Sequence, residues 1–350
     1  MEAPVWQEPP RGAAADPAVI ALPGVEQLRT FLDGRSPLPP VARLTGRRLV
    51  EAEEGRVVYA LPVSRWLVGP KGTLHPGVLA FLADAPLLAA IVSLLPPATP
   101  STTAEVSTTF LGTVGVGDEL RAEGRVIHVD STTGLAEASI TSHDGRLIAH
   151  ATSRGFVLPA LDLDGASPEL HQVEEPEHAT PDPWERPVDG EPPGLRDVGG
   201  LELLRQRIDG RLPPPPIDQL TGIRAVAAEE GRATFALTAH PWTTNEFGSV
   251  FGGMIALLAS SAGSAAVQTD APPGTPFAAL DMKLNLIRPV FPDGSELVAT
   301  ANVIHSGRNL AISSTEIVGG DGRTIAMATG TTMLGEAAAE RANEAQRLLA

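Results

Sequence analysis

Residues 77–95 read GVLAFLADAPLLAAIVSLL, a run in which Asp84 is the single charged residue. The segment is too long for a strand and has no polar stripe, so it reads as a helix buried on nearly all sides. In a chain whose other segments read mostly as strands, a sheet must wrap around that helix to bury it. A membrane span competes, because the length is about right. Pro86, Asp84 and a second, much less apolar copy, GGMIALLASSAGSAAVQT at 252–269, argue against a span.

That second copy belongs to a long repeat. GVEQLRTFLDGRSPLPP at 24–40 returns as GLELLRQRIDGRLPPPP at 200–216, and LTGRRLVEAEEGRVVYAL at 44–61 as LTGIRAVAAEEGRATFAL at 220–237. Trp66 pairs with Trp242, and PPATP at 96–100 with PPGTP at 272–276, all at an offset of 176 residues. One residue is gained before RVIH at 125–128 and NVIH at 302–305. The repeat defines two homologous domains, 24–158 and 200–334. Residues 159–199, rich in proline and acid, read as an extended solvated linker. Residues 1–23 read as a flexible N-terminal tail, and 335–350 as a C-terminal tail with a short polar helix.

Inside each copy an amphipathic helix (VEQLRTFL) leads to a strand at 56–63 and then to the long helix. Strands follow around 101–112, 119–129, 134–142 and 146–158, the last two joined by the Asp144–Gly145 turn. One long helix among about five strands makes each domain α+β with a mainly antiparallel sheet.

Composition narrows the function. A net charge of −16 opposes nucleic-acid binding, although a local basic patch could still hold a phosphorylated small molecule. The absence of cysteine excludes disulfides, thiolate metal sites and a cysteine nucleophile. No His/Asp/Glu group has metal-ligand spacing. The N-terminus lacks the basic start and apolar run of a secretory signal, which points to the cytoplasm. Arginine-dominated basic residues with abundant Ala, Gly and Pro suggest a GC-rich bacterial genome.

A curved antiparallel sheet around one long helix resembles the hotdog fold. The two helix starts resemble the PaaI-type branch of the hotdog acyl-CoA thioesterases, the relatives of phenylacetyl-CoA thioesterase. That pattern runs Asn, Gly, then His-Gly-Gly opening the helix, then Asp two turns further in. NEFGSVFGGMIALLAS supplies Asn245, Gly248, Phe251, Gly252 and Gly253; GPKGTLHPGVLAFLAD supplies Gly72, His75, Gly77 and Asp84.

The resemblance implies that two units pair and build sites across their interface. One unit gives the Asn and a glycine N–H, and the other gives the Asp and a nearby hydroxyl. A tandem chain then imitates the dimer, with two composite sites. The first takes Asn245 and Gly252 from copy two with Asp84 and Thr103 from copy one, which is the full catalytic set. The second takes Gly69 and Pro76 from copy one with Ser260 and Ala279 from copy two, and has lost every group. Phe251 stands where the motif has histidine. Gly248, Phe251 and Gly253 are implied to shape the substrate pocket. Arg288 and Arg308, whose aligned counterparts are Gly112 and Ser131, are candidates for the phosphates of coenzyme A.

The implied protein is a double hotdog acyl-CoA thioesterase acting on an aromatic or medium-chain acyl group. It has one site per chain, no cofactor, no membrane partner, and a homodimer forming a pseudo-tetramer. The rival readings are a non-catalytic acyl-CoA-binding protein and an enoyl-thioester hydratase or dehydratase.

Overall fold

The structure, a computed structural model, describes residues 4–163, 170–174, 176, 178–188 and 198–340. Repeat one runs α1 (Gly24–Leu32), α2 (Pro40–Thr45), β1 (Arg48–Glu53), β2 (Arg56–Pro62), α3 (Pro76–Ser93), β3 (Ser101–Phe110), β4 (Glu119–Val129), β5 (Thr133–Thr141) and β6 (Leu147–Val157). Repeat two follows the same order with α4 (Gly200–Ile208), α5 (Pro216–Thr221), β7 (Arg224–Glu229), β8 (Arg232–Thr238), α6 (Gly252–Asp270), β9 (Phe277–Leu286), β10 (Glu296–Ser306), β11 (Leu310–Val318) and β12 (Thr324–Leu334).

All twelve strands form one antiparallel sheet, ordered β1-β2-β4-β5-β6-β3-β9-β12-β11-β10-β8-β7. The halves join where β3 pairs with β9, and there Ser107 faces Lys283, its own counterpart in the repeat. A local twofold axis therefore passes through that pair. Each half curls around its long helix, and α3 and α6 pack against each other across the axis.

Helix α3 is long and apolar enough to cross a membrane, but 83% of it is buried inside the protein. It is a core helix, as its unstriped sequence implies. Gly124 of β4 lies so close to it that a Cβ there would stand 2.3 Å from the Pro86 carbonyl oxygen. That contact lets the sheet wrap tightly.

Each repeat holds more than its pattern announces. The edge strands β1 and β7 add a sixth strand to the expected five. Their charged sequences, RLVEAE and RAVAAE, lack a clean alternation because an edge strand is only partly covered. Helices α2 and α5 are six residues each, too short to show a period, and end on glycines in the left-handed conformation, Gly46 and Gly222.

The expected flexible tail and solvated linker need correction where the structure describes them. Residues 5–7 and 183–185 form matching short 3₁₀ turns, each carrying a tryptophan. Trp6 packs on Gly222 and Trp184 on Gly46. The indole of Trp242 donates to the Glu8 carbonyl (2.9 Å), and that of Trp66 to the Arg186 carbonyl (2.9 Å). Thus the segment before repeat one docks on repeat two, and the linker segment docks on repeat one. The two segments also clasp each other: Arg186 grips both oxygens of Glu8 at 2.7 and 2.9 Å, and Arg11 meets Asp182 at 3.1 Å. The half-buried rings of Trp6 and Trp184, seated on the opposite repeats, supply the apolar anchorage that overrides a proline-rich composition. Residues 164–169, 175, 177 and 189–197 of the expected linker, and residues 341–350, lie outside the described residues.

Candidate active site at the repeat interface

The start of α6 meets the middle of α3. Asp84 is buried at 4% exposure, and its Oδ1 accepts a 3.0 Å hydrogen bond from the Thr103 hydroxyl on β3. Its Oδ2 points at the α6 start, so near that a Cβ on Gly252 would lie 2.7 Å away. Glycine is the residue that lets helix and carboxylate approach so closely. Among the described residues the Gly252 N–H has no acceptor, as expected for the first residue of a helix. An unengaged donor, backed by the positive end of the helix dipole, thus stands beside a buried acid.

Burial pushes the Asp84 carboxyl up to about 6. The Thr103 hydrogen bond, the Arg47 charge and the Gly253 N–H hold it back from rising further, while Glu246 adds a small upward push. Asp84 is therefore ionised at neutral pH yet a stronger base than an exposed aspartate.

Asn245 stands in the turn before α6. Its side-chain carbonyl accepts from the N–H groups of Phe247 (2.9 Å) and Ser249 (3.2 Å) and from the Ser249 hydroxyl (3.3 Å). Among the described residues its amide nitrogen has no partner, and the residue lines the cavity beside Asp84. Asn245 thus pins the loop and leaves its NH₂ free. Gly248 serves the turn through its φ of +79° and does not line the cavity. Gly253 is also outside the lining. A Cβ there would strike the Phe81 carbonyl at 2.6 Å, so Gly253 serves the packing of α6 on α3 and offers its N–H to Asp84.

Phe251 fills the position of the motif histidine. It is 5% exposed, meets Phe81 edge-on at 5.1 Å, and lines the cavity. Arg288 lies on the lining, exposed to solvent, with its Nε on the Thr324 carbonyl (3.2 Å). Arg308 does not join the site. It is exposed in the β10–β11 turn beside the end of β12, at the hairpin tip that its counterpart Ser131 occupies between β4 and β5.

One charged pair was missed in the sequence. Arg47, with a side chain 1% exposed, lies 4.4 Å over the Phe251 ring and 5.1 Å from that of Tyr59, and pairs with Glu246 at 2.9 Å. Arg47 comes from repeat one and Glu246 from repeat two, and both line the Asp84 cavity. Their counterparts are Ile223 and Pro70. A search for charges present in a single copy would have found them; such a search reaches Arg288 and Arg308 by the same rule.

The cavity holds about 230 Å³. Its wall away from Asp84 is apolar, with Leu28 and Phe31 from α1 and Leu88 and Val92 from α3. A larger cavity, about 790 Å³, lies at the second composite site against His75, Pro76 and Ala279. Size does not place the chemistry there: Pro76 has no N–H, and the positions of Asp84 and Thr103 are held by Ser260 and Ala279.

The Thioesterase superfamily model matches residues 71–149 and 247–326, one segment in each repeat. No curated protein gives a significant sequence match. Among solved structures, the TesB protein of Mycobacterium avium subs paratuberculosis is 15% identical with a TM-score of 0.54, covering 84% of this chain and 98% of that one. The acyl-CoA thioesterase II TesB2 of Mycobacterium marinum is 14% identical with a TM-score of 0.52, over 84% and 97%. A hotdog-fold protein of unknown function from Alicyclobacillus acidocaldarius is 14% identical with a TM-score of 0.52, over 84% and 97%. At such identities these likenesses show the shared fold, a tandem hotdog pair. The PaaI protein of E. coli is 26% identical with a TM-score of 0.34, over 38% of this chain and 94% of that one, a distant match.

Proposed function

Both repeats belong to the thioesterase superfamily, and from that premise we propose that the chain hydrolyses acyl-CoA thioesters at one composite site. The observation that carries this reading is the meeting of Asp84, Thr103 and the unengaged Gly252 N–H across the interface of the repeats. The thioester carbonyl oxygen accepts from the Gly252 N–H, and the free NH₂ of Asn245 is the second donor at hand. Asp84, oriented by Thr103, takes a proton from water as its oxygen attacks the carbonyl carbon. The negative charge of the tetrahedral intermediate rests at the helix start, a placement typically worth about 10²–10³ in rate. Collapse expels the coenzyme A thiolate, which takes a proton, and leaves the carboxylic acid. Water and the chain's own groups suffice for this route.

The acyl group lies in the apolar end of the cavity. A cavity of about 150 Å³ accepts benzene, so about 230 Å³ suits an aromatic acyl group or an aliphatic one of similar bulk. Phe251 replaces a polar imidazole by an apolar ring on that wall and gives Arg47 a face to stack on. Arg288, at the exposed rim, is the candidate for the phosphates of coenzyme A.

Thiol release from aromatic and straight-chain acyl-CoAs tests the reading, and a cysteine-free chain gives no background with a thiol reagent. Asp84→Asn is expected to lower kcat by about 10²–10⁴, with Ser260→Ala unchanged. Binding of CoA esters without turnover would establish the non-catalytic reading instead, and a preference for acetyl-CoA would overturn the assigned acyl class.

A further inference from the structure

The second composite cavity has not simply decayed. Four positions that line the first cavity with apolar side chains line the second with polar ones: Phe31 becomes Arg207, Ala85 becomes Ser261, Leu88 becomes Ser264 and Val92 becomes Gln268. All four changes fall on one wall, built by α1 and α3 in the first site and by α4 and α6 in the second. Loss of a catalytic role explains the missing acid, hydroxyl and N–H. It gives no reason to replace an apolar wall with an arginine, an amide and two hydroxyls.

Of the four Lys and Arg side chains on this lining, Arg146 pairs with Asp144 at 3.9 Å, and two lack an acidic partner among the described residues. Among the described residues neither Lys71 nor Arg207 has a carboxylate within 4.0 Å, whereas Arg224, also on the lining, is bound to Glu296. The Arg207 Nε is buried with no hydrogen-bond partner. The Lys71 amine rests on the Phe277 carbonyl and over the Phe277 ring, and burial pulls it down to about 7. Asp218 is the single acid among the lining residues; burial raises its carboxyl to about 7, the Arg207 charge, near but beyond ion-pair distance, holding it back from rising further. A buried cation without a partner is costly, and the cost is offset when an anion binds. Much of the remaining lining, including Leu79, Phe110, Leu204 and Phe235, is apolar, with Thr73, His75, Thr113 and Arg146 the polar exceptions.

We propose that the second composite cavity is a non-catalytic binding site for a medium-sized carboxylic acid, its carboxylate held by Arg207 on the polar wall. Lys71 adds a second positive charge, and the apolar lining takes the body of the acid. This goes beyond the hydrolytic reading and stands apart from it, since binding here needs none of Asp84, Thr103 or Gly252.

The test is calorimetric titration of the full chain with octanoate and phenylacetate, in wild type and in a variant whose first cavity is filled by Leu88→Trp. Binding is expected to survive Leu88→Trp. It is expected to weaken about tenfold or more in Arg207→Phe, and severalfold in Lys71→Met and in Gln268→Val. Arg207→Phe and Gln268→Val install the residues that repeat one already carries at those positions, so they suit the fold. No binding of either acid at millimolar concentration would overturn the proposal. So would binding lost in Leu88→Trp but kept in Arg207→Phe, which would put the acid in the first cavity. Because the readout is binding, a chain that hydrolyses no thioester still tests the site. A chain that hydrolyses thioesters but fails this titration overturns the acid site alone.

Discussion

The two composite sites occupy equivalent places about one local axis, yet their helix starts face opposite demands. Pro76 opens α3 with the residue that suits a helix start best, its φ fixed and its missing N–H one that the helix cannot use. Gly252 opens α6 with a poorer helix former, and keeps the N–H that Pro76 discards. Across from Gly252 stands a buried acid; the counterpart of that acid, Ser260, carries no charge to desolvate. Repeat two thus holds the demanding helix start and repeat one the demanding acid, and the two meet in one place. Retention and loss follow the interface rather than the repeat. A function shared equally between the copies would not sort the residues this way.

The sharpest way to break the comparison is to give α6 the residue of α3. Gly252→Pro removes the N–H and also places a Cβ against Asp84 Oδ2, so kcat is expected to fall by about 10²–10³. Gly252→Ala keeps the N–H and crowds the carboxylate alone, and should lie between wild type and Gly252→Pro. Pro76→Gly in the other site should leave kcat unchanged. Steady-state kinetics on the three variants decides the matter; equal losses in Gly252→Pro and Pro76→Gly would end the one-site assignment.

Stability should move against activity at Asp84. Its folded-state value, about 6, lies above the ordinary aspartate value of 3.8. The folded protein therefore binds this proton more tightly than the unfolded chain does. The stability that follows is full below 3.8 and is lost as pH rises through 6. Above that pH the ionised carboxylate costs up to about 3 kcal/mol, and Asp84→Asn removes the cost. The inactive variant should resist urea better than wild type at pH 8, with the advantage fading toward pH 4. A variant less stable than wild type at pH 8 would mean that lost hydrogen bonds to the carboxylate outweigh its desolvation.

Arg47 sharpens the comparison further, because its charge reaches only the first site. Breaking a fully buried ion pair costs roughly 3–5 kcal/mol. Glu246 stays partly exposed, so Arg47→Met should cost about 2 kcal/mol in denaturant unfolding. The same charge holds the Asp84 carboxyl down, so its removal should shift the acid limb of kcat/KM above pH 6. A limb that stays in place would show that Arg47 is structural and leaves the acid alone.

The fold was legible because its two strongest signals are physical. An unstriped apolar helix must be wrapped, and a constant offset of 176 residues makes every uncertain strand a paired observation. The resemblance to paired hotdog thioesterases, read through that offset, implied one site of Asp84, Thr103, Asn245 and Gly252, and all four line one cavity. What the offset hid lay outside aligned positions or depended on contact between the copies. Trp6 and Trp184 belong to a shorter repeat, PVWQEPP against DPWERPV, that falls at a different offset, so their docking read as tail and linker. Arg47 and Glu246 are 199 residues apart and show their meaning only when the repeats face each other. The polar wall of the second cavity is hidden for the same reason: Arg207 of α4 and Gln268 of α6 come to one cavity only through packing.

The smallest expected effect concerns the two arginines singled out as lacking basic counterparts. Arg288 lies at the cavity rim on the segment after β9, so Arg288→Ala should raise KM for acyl-CoA severalfold with kcat nearly unchanged. Added salt should shrink the difference, as it does for exposed charge contacts. Arg308 sits on the β10–β11 turn and lines neither cavity, so Arg308→Ala should leave KM where it was. Absence of a counterpart marks both residues equally in the sequence, and position in the fold separates them. An equal rise in KM for both would mean that coenzyme A reaches across the sheet end to the hairpin. An effect of neither would move the phosphate contact to another part of the rim.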